Sequence, residues 1–395
     1  MNLTELLAVN APVARRVRGA LILVITVSSL VACQDRGPSS PLPQSPSPNV
    51  TTGGGGGAAQ NSYADVVSRV VPGVVTIHSA RRVRAPRQHP FLDDPFFHEF
   101  FGDRYRGLPQ RPPDLLQRGL GSGVIVSADG YILTNHHVID GAEEIKVDLS
   151  DNRNFDTTLI GSDPPSDLAV LKIDAQKLSA LALANSDRVR VGDVVLAVGN
   201  PLGLEQTVTM GIVSAKGRST GLSDGSFQDF LQTDAPINQG NSGGALVNTN
   251  GEVIGINSQI LSPTGGNIGI GFAVPANMAR SVMDQLIKSG RVRRGILGII
   301  AQPMTSDIAT SLGLREVRGA IVSAVAPGSP AERAGVQPGD VIVSFNGEPV
   351  ADGNALRNAV AGTQPGTEVT LTVRRDGREE QLRATLAELN TGERS

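Results

Sequence analysis

Ser242 stands in the stretch DAPINQGNSGGALVN (residues 234–248), with Gly240 two places before it and Gly243 and Gly244 directly after it. A serine hydroxyl becomes an effective nucleophile only when a base removes its proton, and the oxyanion formed on the attacked carbonyl needs donors already in place. Glycines on both sides let the backbone bend tightly enough to aim the N–H groups of Gly240 and Ser242 at one spot, which makes these two amides the candidate oxyanion hole. The base is usually a histidine held in one tautomer by a carboxylate. Upstream, TNHHV (134–138) offers His136 and His137, and SDLAVLK (166–172) offers Asp167. Asp163 competes with Asp167, but it precedes two prolines and reads as a turn residue. Each feature alone is ordinarily structural. Histidine, aspartate and serine in that order within one β-rich region point to acyl transfer by a triad.

The elements that must position these residues are short strands. GVIVSADGYILTN (123–135) reads as a hairpin, with Asp129-Gly130 suited to a type I′ turn. VVPGVVTIHSA, LAVLKI, VVLAVGNP, VTMGIVSA, EVIGINSQI and IGIGFAVP are further apolar runs bounded by Gly, Pro, Asn or Asp. On this reading His137 ends one strand and Asp167 begins another, and a strand would turn His136 and His137 to opposite faces. The pattern predicts a mainly β fold, and the triad order is that of a chymotrypsin-like double β-barrel with its site between the barrels. One helix is predicted at 276–290, where Met278, Val282, Leu286, Met283 and Ile287 share a stripe and Gly290 is the stop. A second set of short strands runs from Gly295 to about Leu389.

Composition sets the bounds. With 395 residues and a 39% hydrophobic fraction, the chain exceeds one typical domain and can bury more than one core. A net charge of −3 gives no reason to expect a nucleic-acid partner. The single cysteine and scattered histidines provide no metal site, and no cofactor is read from the sequence. At the N-terminus, Arg15, Arg16 and Arg18 precede an apolar run at 20–32 that fits a signal peptide and is shorter than a membrane-spanning helix. LVAC (30–33) resembles a bacterial lipobox, which would make Cys33 the lipid-attachment site. By that resemblance, Gln34 after the cysteine favours outer-membrane delivery. Residues 1–33 are therefore read as a lipoprotein-type signal peptide. The Pro-, Ser- and Gly-rich residues 34–62 are read as a disordered tether. From Arg81 to Arg118 a Pro-, Arg- and Phe-rich segment has no clean period, and a loop of that length is usually functional or disordered.

The motifs TNHHVI, SDLAVLKI, GNPLGLEQTVTMGIVSA, QTDAPINQGNSGGALVN and IGFAVPA resemble the HtrA/Deg family of bacterial envelope serine proteases, over about residues 63–390. The resemblance implies a trypsin-like protease domain (63–280) followed by a linker helix and one small α+β PDZ domain (281–390). It implies a triad of His137, Asp167 and Ser242, because the family's spacing selects His137 over His136. It places Ile237 and the strand Ile256, Asn257 and Ser258 near the specificity pocket, and makes 81–118 a regulatory loop. In GSPAERAGVQPGDVIVSFNGEPV (328–350) the resemblance is to a PDZ domain, which binds an extended C-terminal peptide along a sheet edge. The matching peptide loop is Gly295, Ile296, Leu297, Gly298 and Ile299. The expected activity is ATP-independent cleavage of unfolded or misfolded proteins by a homo-oligomer, a trimer in this family, in the periplasm and tethered to membrane through Cys33. The alternatives are a dedicated protease for one membrane-bound regulator, or a PDZ adaptor on a weakly active scaffold.

Overall fold

The computed structural model describes residues 62–83, 115–200, 206–220, 227–238, 240–260, 267–311 and 318–389. The signal, Cys33 and the tether lie outside these residues, as do Phe91, Phe96, Phe97, Phe100 and Phe101. The chain enters through a helix, α1 (Ala64–Val70), which the sequence reading missed; it buries Val66 and Val70. The first sheet is built from β1 (Val74–Val83), β2 (Leu115–Ile125), β3 (Tyr131–Thr134), β4 (Glu144–Asp148), β5 (Asn154–Asp156), β6 (Thr158–Asp163) and β7 (Leu168–Lys172). Its seven strands run in the order β5-β4-β1-β2-β3-β7-β6. Between β3 and β4 lies α2 (His136–Ile139). The second unit is a closed barrel, β10-β13-β12-β11-β8-β9. Its strands are β8 (Val194–Gly199), β9 (Thr207–Arg218), β10 (Phe230–Thr233), β11 (Ala245–Asn248), β12 (Val253–Ile260) and β13 (Gly271–Pro275).

Alternating apolar residues fill each unit, and one buried cluster joins them. Val124, Leu133, Leu168 and Val170 of the first sheet pack with Leu196, Val198, Val247 and Ile256 of the barrel. Helix α3 (Ala276–Ser289) closes this cluster with Ala279, Val282 and Leu286, while Met278 and Met283 pack at its margin. The helix thus belongs to the protease core, and the boundary expected at 280 falls after Ser289. Ile287, placed on the apolar stripe from the sequence, is 39% exposed. Two other expectations change. The β2–β3 turn spans four residues, Ser127–Gly130, with Val126 donating to Tyr131 and a positive φ of 98° at Gly130 but not at Asp129. It is therefore a turn with a terminal left-handed glycine and not a two-residue type I′ turn. In the 81–118 segment, β1 and β2 stay paired out to Val83 and Leu115, so strand covers both of its ends.

The C-terminal unit contains β14 (Gly295–Ile296), β15 (Ile299–Gln302), α4 (Ser306–Ser311), β16 (Ala320–Val325), α5 (Pro330–Arg333), β17 (Val341–Phe345) and β18 (Glu348–Pro349). It is completed by α6 (Gly353–Gly362), β19 (Glu368–Arg375), β20 (Arg378–Thr385) and β21 (Ala387–Glu388). Its sheet order β15-β16-β17-β19-β20 leaves β15 at an edge. Asn346 and Gly347 both take positive φ, 51° and 85°, and close the tight β17–β18 hairpin.

The seam between this unit and the protease carries charge. The Gln228 carbonyl accepts from Nδ2 of Asn354 and Asn358, at 2.8 and 2.7 Å, both on α6. Next to it, burial pushes the Asp229 carboxyl above the ordinary aspartate value; Asp187 and the α6 cap Asp352 add to the shift, and Lys216 opposes it. A raised folded-state value means stability complete below the unfolded pKa near 3.9 and lost as pH rises through the folded value. Asp229→Asn is therefore expected to raise Tm at pH 7 and to have little effect at pH 4. Melting curves of both proteins across that range check it; an equal offset at every pH would reject the assignment.

Candidate active site

The candidate site is assembled from three turns. The first follows β3, where Asn135 leads into α2. His136 and His137 lie in the first turn of that helix and not at the end of a strand, so about 100° separates them rather than a face reversal. His137 turns toward Asp167, with Nδ1 at 2.9 and 2.8 Å from Oδ1 and Oδ2. A carboxylate offers only acceptors, so Nδ1 carries the proton and Nε2 is left with its lone pair. His136 points elsewhere, with Nε2 at 3.6 Å from Asp140.

The second turn presents Asp167. A 3-10 turn (Pro164–Ser166) follows β6, and Asp167 at its end adopts the left-handed φ of 55° and ψ of 41° before β7 begins. That conformation is uncommon for a side-chain-bearing residue and is held by its surroundings. The Asp167 carbonyl accepts from the His136 amide (3.2 Å) and from Asn135 Nδ2 (2.9 Å). Its carboxylate accepts from the His137 amide (3.0 Å), the His137 ring and the Ser258 hydroxyl (2.8 Å). Asp163 supplies the start of the same turn, accepting from the Ser166 amide at 3.1 Å, and pairs bidentately with Arg294 at 2.7 and 2.5 Å.

The third turn is the glycine-rich loop between β10 and β11. Gly240 and Gly243 have φ of 99° and 84°. A Cβ on Gly243 would lie 2.0 Å from the Ser122 carbonyl oxygen and 2.4 Å from Thr134 Oγ1, so only glycine fits. Asn257 ties the loop to β12: its carbonyl accepts from Gly243 and its amide donates to Gly244. The Ser242 hydroxyl donates to the Ser258 carbonyl at 2.8 Å rather than to the His137 ring.

The expected specificity residues separate into two kinds. Ile237 and Ile256 are 1% and 0% exposed and pack in the barrel and inter-barrel cores, so neither side chain is open to a ligand in this arrangement. Asn257 and Ser258 instead bind the loop of Ser242 and Asp167, contacts that spacing along the chain does not reveal. In the C-terminal unit, Gly295, Ile296, Leu297, Gly298 and Ile299 all line a cavity of about 770 Å³ walled on one side by Leu356 and Val360 of α6. Leu297 is 2% exposed and belongs to the domain core, whereas Ile300 of the edge strand β15 is 65% exposed. Phe227 and Pro165 of the protease unit close the same cavity. Arg294 and Arg357 lie over the Phe227 ring at 4.6 and 5.1 Å.

Comparison with known proteins agrees with this division. A trypsin-like peptidase domain matches residues 121–256, and a PDZ domain matches residues 321–375. The periplasmic pH-dependent serine endoprotease DegQ of Escherichia coli (strain K12) is 50% identical over 327 residues, covering 82% of this chain and 70% of DegQ. The periplasmic serine endoprotease DegP of the same organism is 47% identical over 341 residues, covering 80% and 70%. The solved structure of the HtrA-type protease AlgW with tripeptide superposes with a TM-score of 0.67 at 43% identity, over 84% of this chain and 99% of that one. With 47–50% identity to these endoproteases over at least four fifths of its length, and with a trypsin-like peptidase domain followed by a PDZ domain, the chain belongs to the HtrA/Deg family of periplasmic serine endoproteases.

Proposed function

We propose that this serine endopeptidase cleaves unfolded or damaged periplasmic proteins without ATP, with Ser242 as nucleophile, His137 as general base and then general acid, and Asp167 as the group that orients the imidazole. The observation that carries this reading is the His137–Asp167 pair, whose hydrogen bonds leave Nε2 as the free base. The mechanism follows from those positions. Ser242 leaves the Ser258 carbonyl, gives its proton to Nε2 and bonds to the substrate carbonyl carbon. The resulting imidazolium is stabilised by Asp167, and the N–H groups of Gly240 and Ser242 receive the oxyanion. The imidazolium then protonates the departing amine. Water, deprotonated by His137, releases the acyl group.

Residues 295–299, which run from β14 through the short Leu297–Gly298 link into the edge strand β15, line the cavity and support C-terminal peptide binding by strand addition in the PDZ domain. Such peptides, and the segment between β1 and β2, are inferred to bias the enzyme between resting and active states. Family membership supports assembly as a homo-oligomer, a trimer. Cys33 is inferred to carry lipid and hold the enzyme at the membrane, the outer membrane by the sorting rule. Cys33→Ser is then expected to move the protein from the membrane to the soluble fraction on cell fractionation, because a multiply acylated cysteine anchors stably. A wholly soluble natural protein would reject the anchor.

The test of the main reading is digestion of an unfolded model protein, reduced and carboxymethylated, by the purified enzyme. General degradation, absent in the Ser242→Ala protein, is expected. An enzyme that spares unfolded chains but cuts a short chromogenic peptide would instead be a dedicated regulatory protease.

A further inference from the structure

We propose that Ser122 is a positioning residue for the oxyanion-binding loop, clamping the carbonyl side of Gly240 and Ser242 so that their N–H groups stay aimed into the crevice. The inference rests on the reading of those amides as the oxyanion hole. Ser122 lies on β2 of the first sheet and is fully buried. It reaches across to the barrel unit at two points of the loop that carries Ser242. Its backbone N–H donates to the Ser242 carbonyl at 2.8 Å, and its hydroxyl donates to the Gly240 carbonyl at 2.6 Å. The direction of the second bond is fixed chemically. The Asn200 amide, which can only donate, also points at Ser122 Oγ (2.9 Å), so the hydroxyl proton goes to Gly240. The Ser122 carbonyl is itself held by Thr134 Oγ1 at 2.7 Å, immediately before the turn that carries His137.

Glycine has little torsional preference of its own, so an outside contact must set the orientation of the Gly240 peptide. The plane joining Gly240 to Asn241 is held at its N–H by the Asn238 carbonyl and at its oxygen by Ser122. The next plane, which carries the Ser242 N–H, is held at its oxygen by the Gly244 amide, and the plane after it by the Ser122 amide. Removing the Ser122 hydroxyl leaves the first plane held only at its N–H, and leaves two polar groups, the Gly240 carbonyl and the Asn200 N–H, without this partner. Asn241 Oδ1, in the same loop, is buried with no partner among the described residues, so the Gly240 carbonyl is the loop oxygen that the Ser122 hydroxyl bonds. Flanking residues leave no room for a substitute from either side, since Cβ atoms on Gly121 and Gly123 would fall 2.5 Å from Val138 and 2.7 Å from Ile132.

The test compares the full-length wild type, Ser122→Ala and Ser122→Cys, the cysteine keeping the volume but donating poorly. Readouts are kcat and KM per titrated active site on a chromogenic peptide, and the affinity of a peptide boronic acid, whose tetrahedral adduct on Ser242 occupies the oxyanion hole. Both variants are expected to lose about 10- to 100-fold in kcat, with KM within about threefold and boronate affinity lowered in step, a smaller loss than the ~10²–10³ seen when a donor itself is removed. Normalising to titrated sites removes any loss from misfolding; if the alanine protein does not fold, the cysteine protein carries the same comparison. Wild-type kcat and boronate affinity in the variants would overturn the role of Ser122. If wild type itself failed to bind the boronate, or Ser242→Ala kept its activity, the underlying site reading would fall instead.

Discussion

Ser242→Ala is expected to lower kcat by about 10⁶-fold, the scale found when the nucleophile of a comparable triad is removed. The reason lies in the geometry of the base. With its Nδ1 proton committed to Asp167, the neutral His137 ring has one lone pair, at Nε2, to take the Ser242 proton, and Ser242 and Asp167 are linked through Ser258, whose carbonyl accepts from Ser242 and whose hydroxyl donates to Asp167. His137→Ala should be about as severe, since either change removes the same proton transfer and triad losses are not additive. His136→Ala should be much milder, because that ring contacts Asp140 at 3.6 Å and takes no part in the pair. Stability should hardly change in Ser242→Ala, which removes one hydrogen bond, to the Ser258 carbonyl. Turnover of a chromogenic peptide, with melting curves as control, measures all three. If His136→Ala were more damaging than His137→Ala, the assignment of the base would be wrong.

Ser242, His137 and Asp167 could be picked out as a candidate triad because the chemistry expected of them is written in residue type and chain order. A serine framed by glycines, a histidine behind a polar strand end and an aspartate before an apolar run have few structural uses in common. The supporting contacts were not legible. Ser258 reaches Asp167 across 91 positions, and Ser122 reaches Gly240 across 118. In sequence both are ordinary serines in strands, and only barrel closure and the meeting of the two units give them partners. Helix α3 shows the same limit differently. Its periodicity revealed an apolar face, but periodicity does not say which core the face covers, so the domain boundary was set too early. The ends of the 81–118 segment were misread because Arg81, Arg82, Gln117 and Arg118 are polar. Continued β1–β2 pairing, not side-chain hydropathy, keeps them in strand. Asp163 was read as a turn residue; it ends β6 and caps the turn that follows, and that reading missed its second role entirely.

That second role gives the other large effect. Asp163 and Arg294 are joined by two hydrogen bonds, and both side chains are only 6% exposed. The arginine also covers the Phe227 ring, and its backbone carbonyl accepts from Leu389 at 2.8 Å, so it lies where the protease turn, the seam and the end of the PDZ unit converge. Replacing a buried ion pair as a whole is often nearly neutral, but removing one member strands the other charge at a cost of about 3–5 kcal/mol. Arg294→Met should therefore destabilise the protein by roughly that amount in urea unfolding at pH 7.5. The Asp163 carboxylate would keep only the bonds donated by the Ser166 amide and hydroxyl, which are too few to solvate it when buried. Adding Asp163→Asn to Arg294→Met should recover most of the loss, because the amide removes the charge and can still accept from the Ser166 amide. A double-mutant cycle isolates this coupling from the loss of the arginine's contact with Phe227. A single Arg294→Met change costing less than about 0.5 kcal/mol, the range of ordinary surface substitutions, would show that the charge finds water without effort and that this seam is not closed in solution. The same melt should report on the catalytic side, because Asp163 begins the turn that holds Asp167 at its left-handed φ. Hydrogen exchange at the Ser166 and Asp167 amides should accelerate in Arg294→Met and return toward wild type in the double variant.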